Sequence, residues 1–174
     1  MAKRTRLPKG PQPLGVCRTS VGLALGLLIG YGFGVMAAIA LNSPTLGQWM
    51  MLVWSLTLLA MGFAVFCLYR HQRVVRWAVV AVLLVLASLL TSYPVLSPFW
   101  IYTLQALGVV GFSLVMYDVG KLLRQPLGTG SGLIFLAIIS TILNSPLAAF
   151  IGMVLMILGA YLLLQRLGLM PRKA

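Results

Sequence analysis

The sequence predicts an all-α polytopic membrane protein, with six transmembrane helices arranged as three tandem helical hairpins and both termini on the cytoplasmic side. Three observations predict it. Hydrophobic residues fill 61% of the 174 positions against 8% charged, with a mean hydropathy of +1.04, a balance found in chains whose solvent is lipid. Apolar runs of the length that crosses a hydrocarbon core, about 20 residues, recur at 20–41, 47–69, 77–96, 99–120, 130–144 and 146–165. All 13 lysines and arginines fall at the termini or in alternate connections between those runs, and short loops rich in Lys and Arg stay in the cytoplasm.

A basic segment, 1–19, carries Lys3, Arg4, Arg6, Lys9 and Arg18 ahead of the first span. Its charge suits a cytoplasmic position and anionic lipid headgroups. The apolar stretch that follows ends in "AIA" at Ala38–Ala40 and so mimics a signal peptide, but it is longer than a signal core and is expected to stay as a span. Within it, "GLALGLLIGYGFGVMAA" places Gly22, Gly26, Gly30, Gly34 and Ala38 every fourth residue. Interior glycines weaken a water-exposed helix. In lipid, close backbone approach replaces the hydrophobic effect as the force that joins helices. The stripe therefore reads as a glycine-zipper packing face for another helix of this chain or for span 1 of a second copy. Ala106, Gly108 and Gly111, or Ala148, Gly152 and Gly159, or Ala60, Gly62 and Ala64, are possible internal counterparts.

The three outer turns share a pattern, with Ser43-Pro44, Ser97-Pro98 and Ser145-Pro146 where each odd span meets the next even one. Serine at an N-cap satisfies a free helix N–H, and proline at the first helical position loses no bond. Each pair is thus expected to start a helix after a very short turn, which divides the bundle, 20–167, into hairpins at about 20–69, 77–120 and 130–165. Arg70, Arg73 and Arg76 lie between spans 2 and 3, Lys121 and Arg124 between 4 and 5, and Arg166, Arg172 and Lys173 follow span 6, the last two in a tail at 168–174. The fifth span, "GLIFLAIISTILN", is the shortest; without it the last three cations would lie outside.

The formal net charge of +12 is accounted for by this topology and needs no nucleic acid. Chemistry-bearing residues are few, with one acid, Asp118, and one histidine, His71, in the whole chain. Asp118 in "MYDVGKLLR" is expected to pair with Lys121 one turn on. Gln105, the other intramembrane polar group of note, is expected to bond a neighbouring helix, and Ser55, Thr57, Ser88, Thr91, Ser113, Ser140 and Thr141 to bond their own helix backbones. His71 reads as a solvated turn residue. Cys17 and Cys67 fall near the cytoplasmic side, where thiols stay reduced, and are expected to form neither a disulfide nor a metal site. Trp49, Tyr93, Trp100 and Tyr102 read as outer interface anchors, Tyr69, Trp77 and Tyr117 as inner ones, and Tyr31 as a filler beside Gly30 and Gly34. Nothing supplies a nucleophile with a base in reach, so no catalysis and no cofactor are expected.

The unit "GLIFLAIISTILNSPLAAFIGMVLMILGAYLLLQRL", Gly132 to Leu167, resembles the repeat of the HdeD-type acid-resistance membrane proteins. The first hairpin is similar to it more loosely, and the middle one, with its second proline Pro94, departs most. The resemblance implies a non-enzymatic protein of the bacterial inner membrane linked to the response to envelope stress or acid. Three readings follow: a compact scaffold of that sort, with a closed bundle; an accessory subunit, with an exposed small-residue groove; and a transporter or channel for a small neutral solute, with a polar-lined cavity containing Gln105. Membrane lipid is the expected partner throughout. A second copy or a membrane-complex subunit would dock on the glycine stripe.

Overall fold

A computed structural model of the chain describes residues 15–92, 97–142 and 145–169. Tyr93, Pro94, the side chain of Thr141 and the terminal cations Lys3, Arg4, Arg6, Lys9, Arg172 and Lys173 lie outside the described residues. The described residues form six α-helices and no strand: α1 (Arg18–Ala40), α2 (Pro44–Gln72), α3 (Val75–Ser92), α4 (Pro98–Leu123), α5 (Gly128–Ile142) and α6 (Pro146–Arg166). Five are long and apolar enough to cross a membrane. The sixth, α5, has 15 residues and, at 1.5 Å per residue, covers about 22 Å against a hydrocarbon core of about 30 Å.

Pro44, Pro98 and Pro146 each begin a helix behind an extended N-cap serine, as the turn chemistry predicts. The serines differ in what they do. Ser43 accepts a 3.4 Å bond from the Leu46 N–H, whereas the side chains of Ser97 and Ser145 make no cap bond. Asn42 turns the chain in the left-handed conformation, φ 46°, which asparagine tolerates better than most residues. At the opposite end, Arg73 (φ 55°) and Arg124 (φ 54°) close α2 and α4 in the same left-handed form. Only Arg73 and Val74 separate α2 from α3.

Each helix packs on its chain neighbours, and α1 also packs on α6, closing a ring. One further pair, α2 with α4, cuts across it. The ring is thereby divided into a triangle, α2–α3–α4, in which all three pairs touch, and a pentagon, α1–α2–α4–α5–α6, whose opposite members do not. The triangle is drawn tight by small residues: a Cβ on Gly62 would meet Val85 at 2.9 Å, and one on Gly111 would meet Val80 at 2.8 Å. A Cβ on Gly159 would come within 2.7 Å of the Gly130 carbonyl, so α5 and α6 approach backbone to backbone.

At Gly26 and Gly30 the glycine stripe of α1 meets no other helix of this chain. Nothing lies within 4 Å of a Cβ added at Gly26 or Gly30, and Gly22 meets only Leu169 at 3.9 Å. Gly34 is covered by the flexible side chain of Met50, and Ala38 borders a surface groove at the first outer turn. The close contact of α1 with α6 is made by Gly32, outside the stripe, against Ile157. The residues that α1 buries within its own chain are Val21, Ala24, Leu25, Leu28 and Gly32, so the centre of the stripe is not the face it turns to the ring.

Candidate functional site

The pentagon helices line a half-open cavity of about 710 Å³. Its lining comes from the five pentagon helices and none of it from α3: Tyr31 of α1, Trp54 of α2, Phe99, Tyr102, Gln105, Ala106 and Val109 of α4, Ala137 and Ile138 of α5, and Gly152, Met153 and Met156 of α6. The wall on α4 starts in that helix's first turn and runs inward to Val109. Beyond the cavity, toward the end that carries the arginines, the same five helices contribute the fully buried Leu25, Leu28, Met61, Phe112, Met116, Ile134 and Leu163 to one core cluster. Among the described residues the cavity therefore ends blind.

Its chemistry is aromatic and uncharged. The Tyr31 and Trp54 rings lie 4.6 Å apart, tilted by 33°, and Phe99 and Tyr102 add two more rings at the mouth. Met153 and Met156 supply soft, adaptable surface. Gln105 is the amide of the lining, and it is buried. Its Nε2 donates a 2.7 Å bond to Thr91 Oγ1 on α3, and Thr91 in turn donates to the Ala87 carbonyl at 2.7 Å. The helix-to-helix bond expected of Gln105 is present, and it fixes the amide.

Several sequence expectations are corrected here. Asp118 pairs with Arg76 at the start of α3, 2.9 Å away, not with Lys121, and it accepts a 3.3 Å bond from Trp77 Nε1. Lys121 instead stands 4.4 Å over the Tyr117 ring. Trp77 is fully buried, not an interface anchor. Thr57, Thr91 and Ser140 bond their own helices as expected. Ser55 and Ser88 do not: each hydroxyl donates to the other residue's carbonyl, at 3.1 and 2.8 Å, and joins α2 to α3. Ser113 donates at 2.7 Å to the Ser131 carbonyl and joins α4 to α5.

The cysteines give the largest correction. Cys17, just before α1, and Cys67, near the end of α2, are joined in a disulfide. His71 lies one turn beyond Cys67, and its ring nitrogen and the two sulfurs lie within 4.8 Å of one another. The signal was in the sequence, since residues four apart share a helix face. Cys67 and His71 have that spacing, but Cys17 joins them only through the α1–α2 contact.

Comparison with protein-family models, curated proteins and solved structures gives no match to this chain.

Proposed function

We propose that this chain is a non-enzymatic integral membrane protein that holds a small uncharged molecule in the aromatic cavity of a six-span bundle. The observation that carries the reading is the cavity itself. Five helices surround it, four aromatic rings and one fixed amide line it, and no carboxylate, imidazole, thiol or amine is among its lining residues. Apolar pockets with a few convergent polar groups are the usual form of small-molecule sites. The absence of charge selects a neutral ligand, and the rings favour a flat or aromatic one. A blind inner end favours binding over conduction, and the solute-channel form of this reading is set aside.

The six-span topology, with both termini in the cytoplasm of a bacterial inner membrane, belongs to the same proposal. It is supported by the gathering of cations at one end and by Arg18 donating to the Gly168 carbonyl, which brings the start of α1 beside the end of α6. The short α5 completes its crossing by local thinning of the bilayer, at a cost of a fraction of a kcal/mol per Å. Lipid covers the outward face of α1 at Gly26 and Gly30. The link to envelope stress or acid is carried by the hairpin resemblance alone.

The test is native mass spectrometry of protein taken from its own membrane in nanodiscs. One neutral molecule per chain is expected on the wild type and none on Ala106→Phe, which fills the cavity. A wild type free of any bound molecule other than lipid, or equal occupancy in both proteins, contradicts the reading.

A further inference from the structure

We propose that Cys17, Cys67 and His71 form a site for a thiophilic d10 cation, Zn(II) or Cu(I), at the basic end of the bundle. Their donor atoms come from two helices and already converge, all within 4.8 Å of one another. Cys17 is wholly buried, Cys67 is half-buried and His71 is exposed, so the three donors run from the interior to the surface. The inference rests on the inward orientation of this end in the reading above. It does not depend on the cavity.

The structure joins the two cysteines in a disulfide; thiol–disulfide exchange with a cytoplasmic dithiol, which is itself oxidised to its disulfide, opens it to two thiols, the form that takes the cation. Their Cα atoms are 5.7 Å apart. Bonds of about 2.3 Å from a tetrahedral Zn(II) place two sulfurs about 3.8 Å apart, a separation reached by rotating the two side chains about Cα–Cβ. Two thiolates and a neutral imidazole are a soft donor set that selects Zn(II) and Cu(I) over the hard cations. Binding removes one proton from each thiol and delivers it to water. Three protein ligands satisfy Cu(I), and they leave Zn(II) one position for water. The Zn(II) complex of two thiolates is neutral, which suits a pocket whose neighbours, Arg18 and Arg70, are cationic. The bound ion would tie the start of α1 to the end of α2, and through the α1–α6 contact it would brace the ring's closure.

The experiment uses the full chain in nanodiscs, reduced with a dithiol that is then removed by gel filtration without oxygen. Zn(II) alone and, separately and without oxygen, Cu(I) alone are titrated against a competing chelator, and the retained metal is counted by mass spectrometry. One ion per chain is expected in at least one arm, and the arm that retains it identifies the cation. Cys67→Ser is expected to lose it, and His71→Ala, which leaves both cysteines able to form a disulfide, to weaken it by at least about tenfold. Circular dichroism of each variant shows that the helices are intact. No retained metal in either arm, equal retention in Cys67→Ser, or a quantitative disulfide on alkylating the protein inside cells would each overturn the proposal. None of these outcomes bears on the neutral-ligand cavity.

Discussion

Glycines inside apolar helices have opposite roles in the structure, and substitution separates them. A side chain at Gly159 has no room, because the Gly130 carbonyl and the Ile134 backbone N–H lie 2.7 and 3.1 Å from its Cβ. Backbone atoms cannot swing aside as a side chain can. Gly159→Val is expected to destabilise the bundle by about 1–3 kcal/mol, the range for overpacking a tight contact. Gly26→Leu and Gly30→Leu are expected to leave it unchanged or more stable by up to about 1 kcal/mol, since open space receives the side chain and helix propensity rises. Thermal unfolding in one detergent, followed by circular dichroism, distinguishes them. A loss of stability in the Gly26 and Gly30 variants equal to that of Gly159→Val would restore the stripe as a packing face. The sequence could show that small residues were available for packing, but not which of them faced a neighbour. That choice depends on the rotation of each helix, which a nearly uniform apolar surface leaves unmarked.

At the scale of the elements, helix starts were the most legible feature, because proline and serine act locally. Pro44, Pro98 and Pro146 begin α2, α4 and α6 whatever the rest of the chain does. Polar contacts between helices were legible only as to donor. Ser55 could have bonded its own backbone, as Thr57 does; it bonds α3 because Ser88 stands opposite with its own carbonyl in reach. Ser55→Ala removes the donor to the Ser88 carbonyl, while the Ser88 hydroxyl keeps its bond to the Ser55 carbonyl. Ser55→Ala is expected to loosen α2 from α3 by about 0.6 kcal/mol, and at most about 1.7, the span measured for such bonds in membrane bundles. A double-mutant cycle with Ser88→Ala reads the coupling. Independent, additive losses would show that the two hydroxyls do not act as a pair. The Asp118 pairing follows the same logic: Lys121 was near in sequence, but Arg76 and Trp77 are brought nearer by the α3–α4 packing.

For the whole molecule, the ring brings the start of α1 and the end of α6 to the same end of the bundle. The start of α1 meets the end of α6 through Arg18 and Gly168, and it meets the end of α2 through Cys17 and Cys67. Single-cysteine variants placed in the two tails, made in a Cys17→Ser, Cys67→Ser background, are expected to be labelled by a membrane-impermeant maleimide only after the cells are opened. Labelling of one tail in intact cells would place the termini on opposite sides and remove α5 from the spans. The cavity was legible only as an ingredient, Gln105, because it arises from which helices fail to touch. No local pattern in the chain encodes that α4 stands away from α1 and α6. Tyr31, Trp54, Phe99 and Tyr102 come from three helices, and nothing in their spacing groups them.

The most direct test of the ligand cavity is titration of the nanodisc-embedded protein with the neutral aromatic dye N-phenyl-1-naphthylamine, read as quenching of tryptophan emission by energy transfer. Trp54 in the cavity wall should give a saturable component of one dye per chain, lost in Ala106→Phe and reduced in Trp54→Phe, above the linear background of dye in lipid. A linear, unsaturable response that is the same in all three proteins would contradict the account.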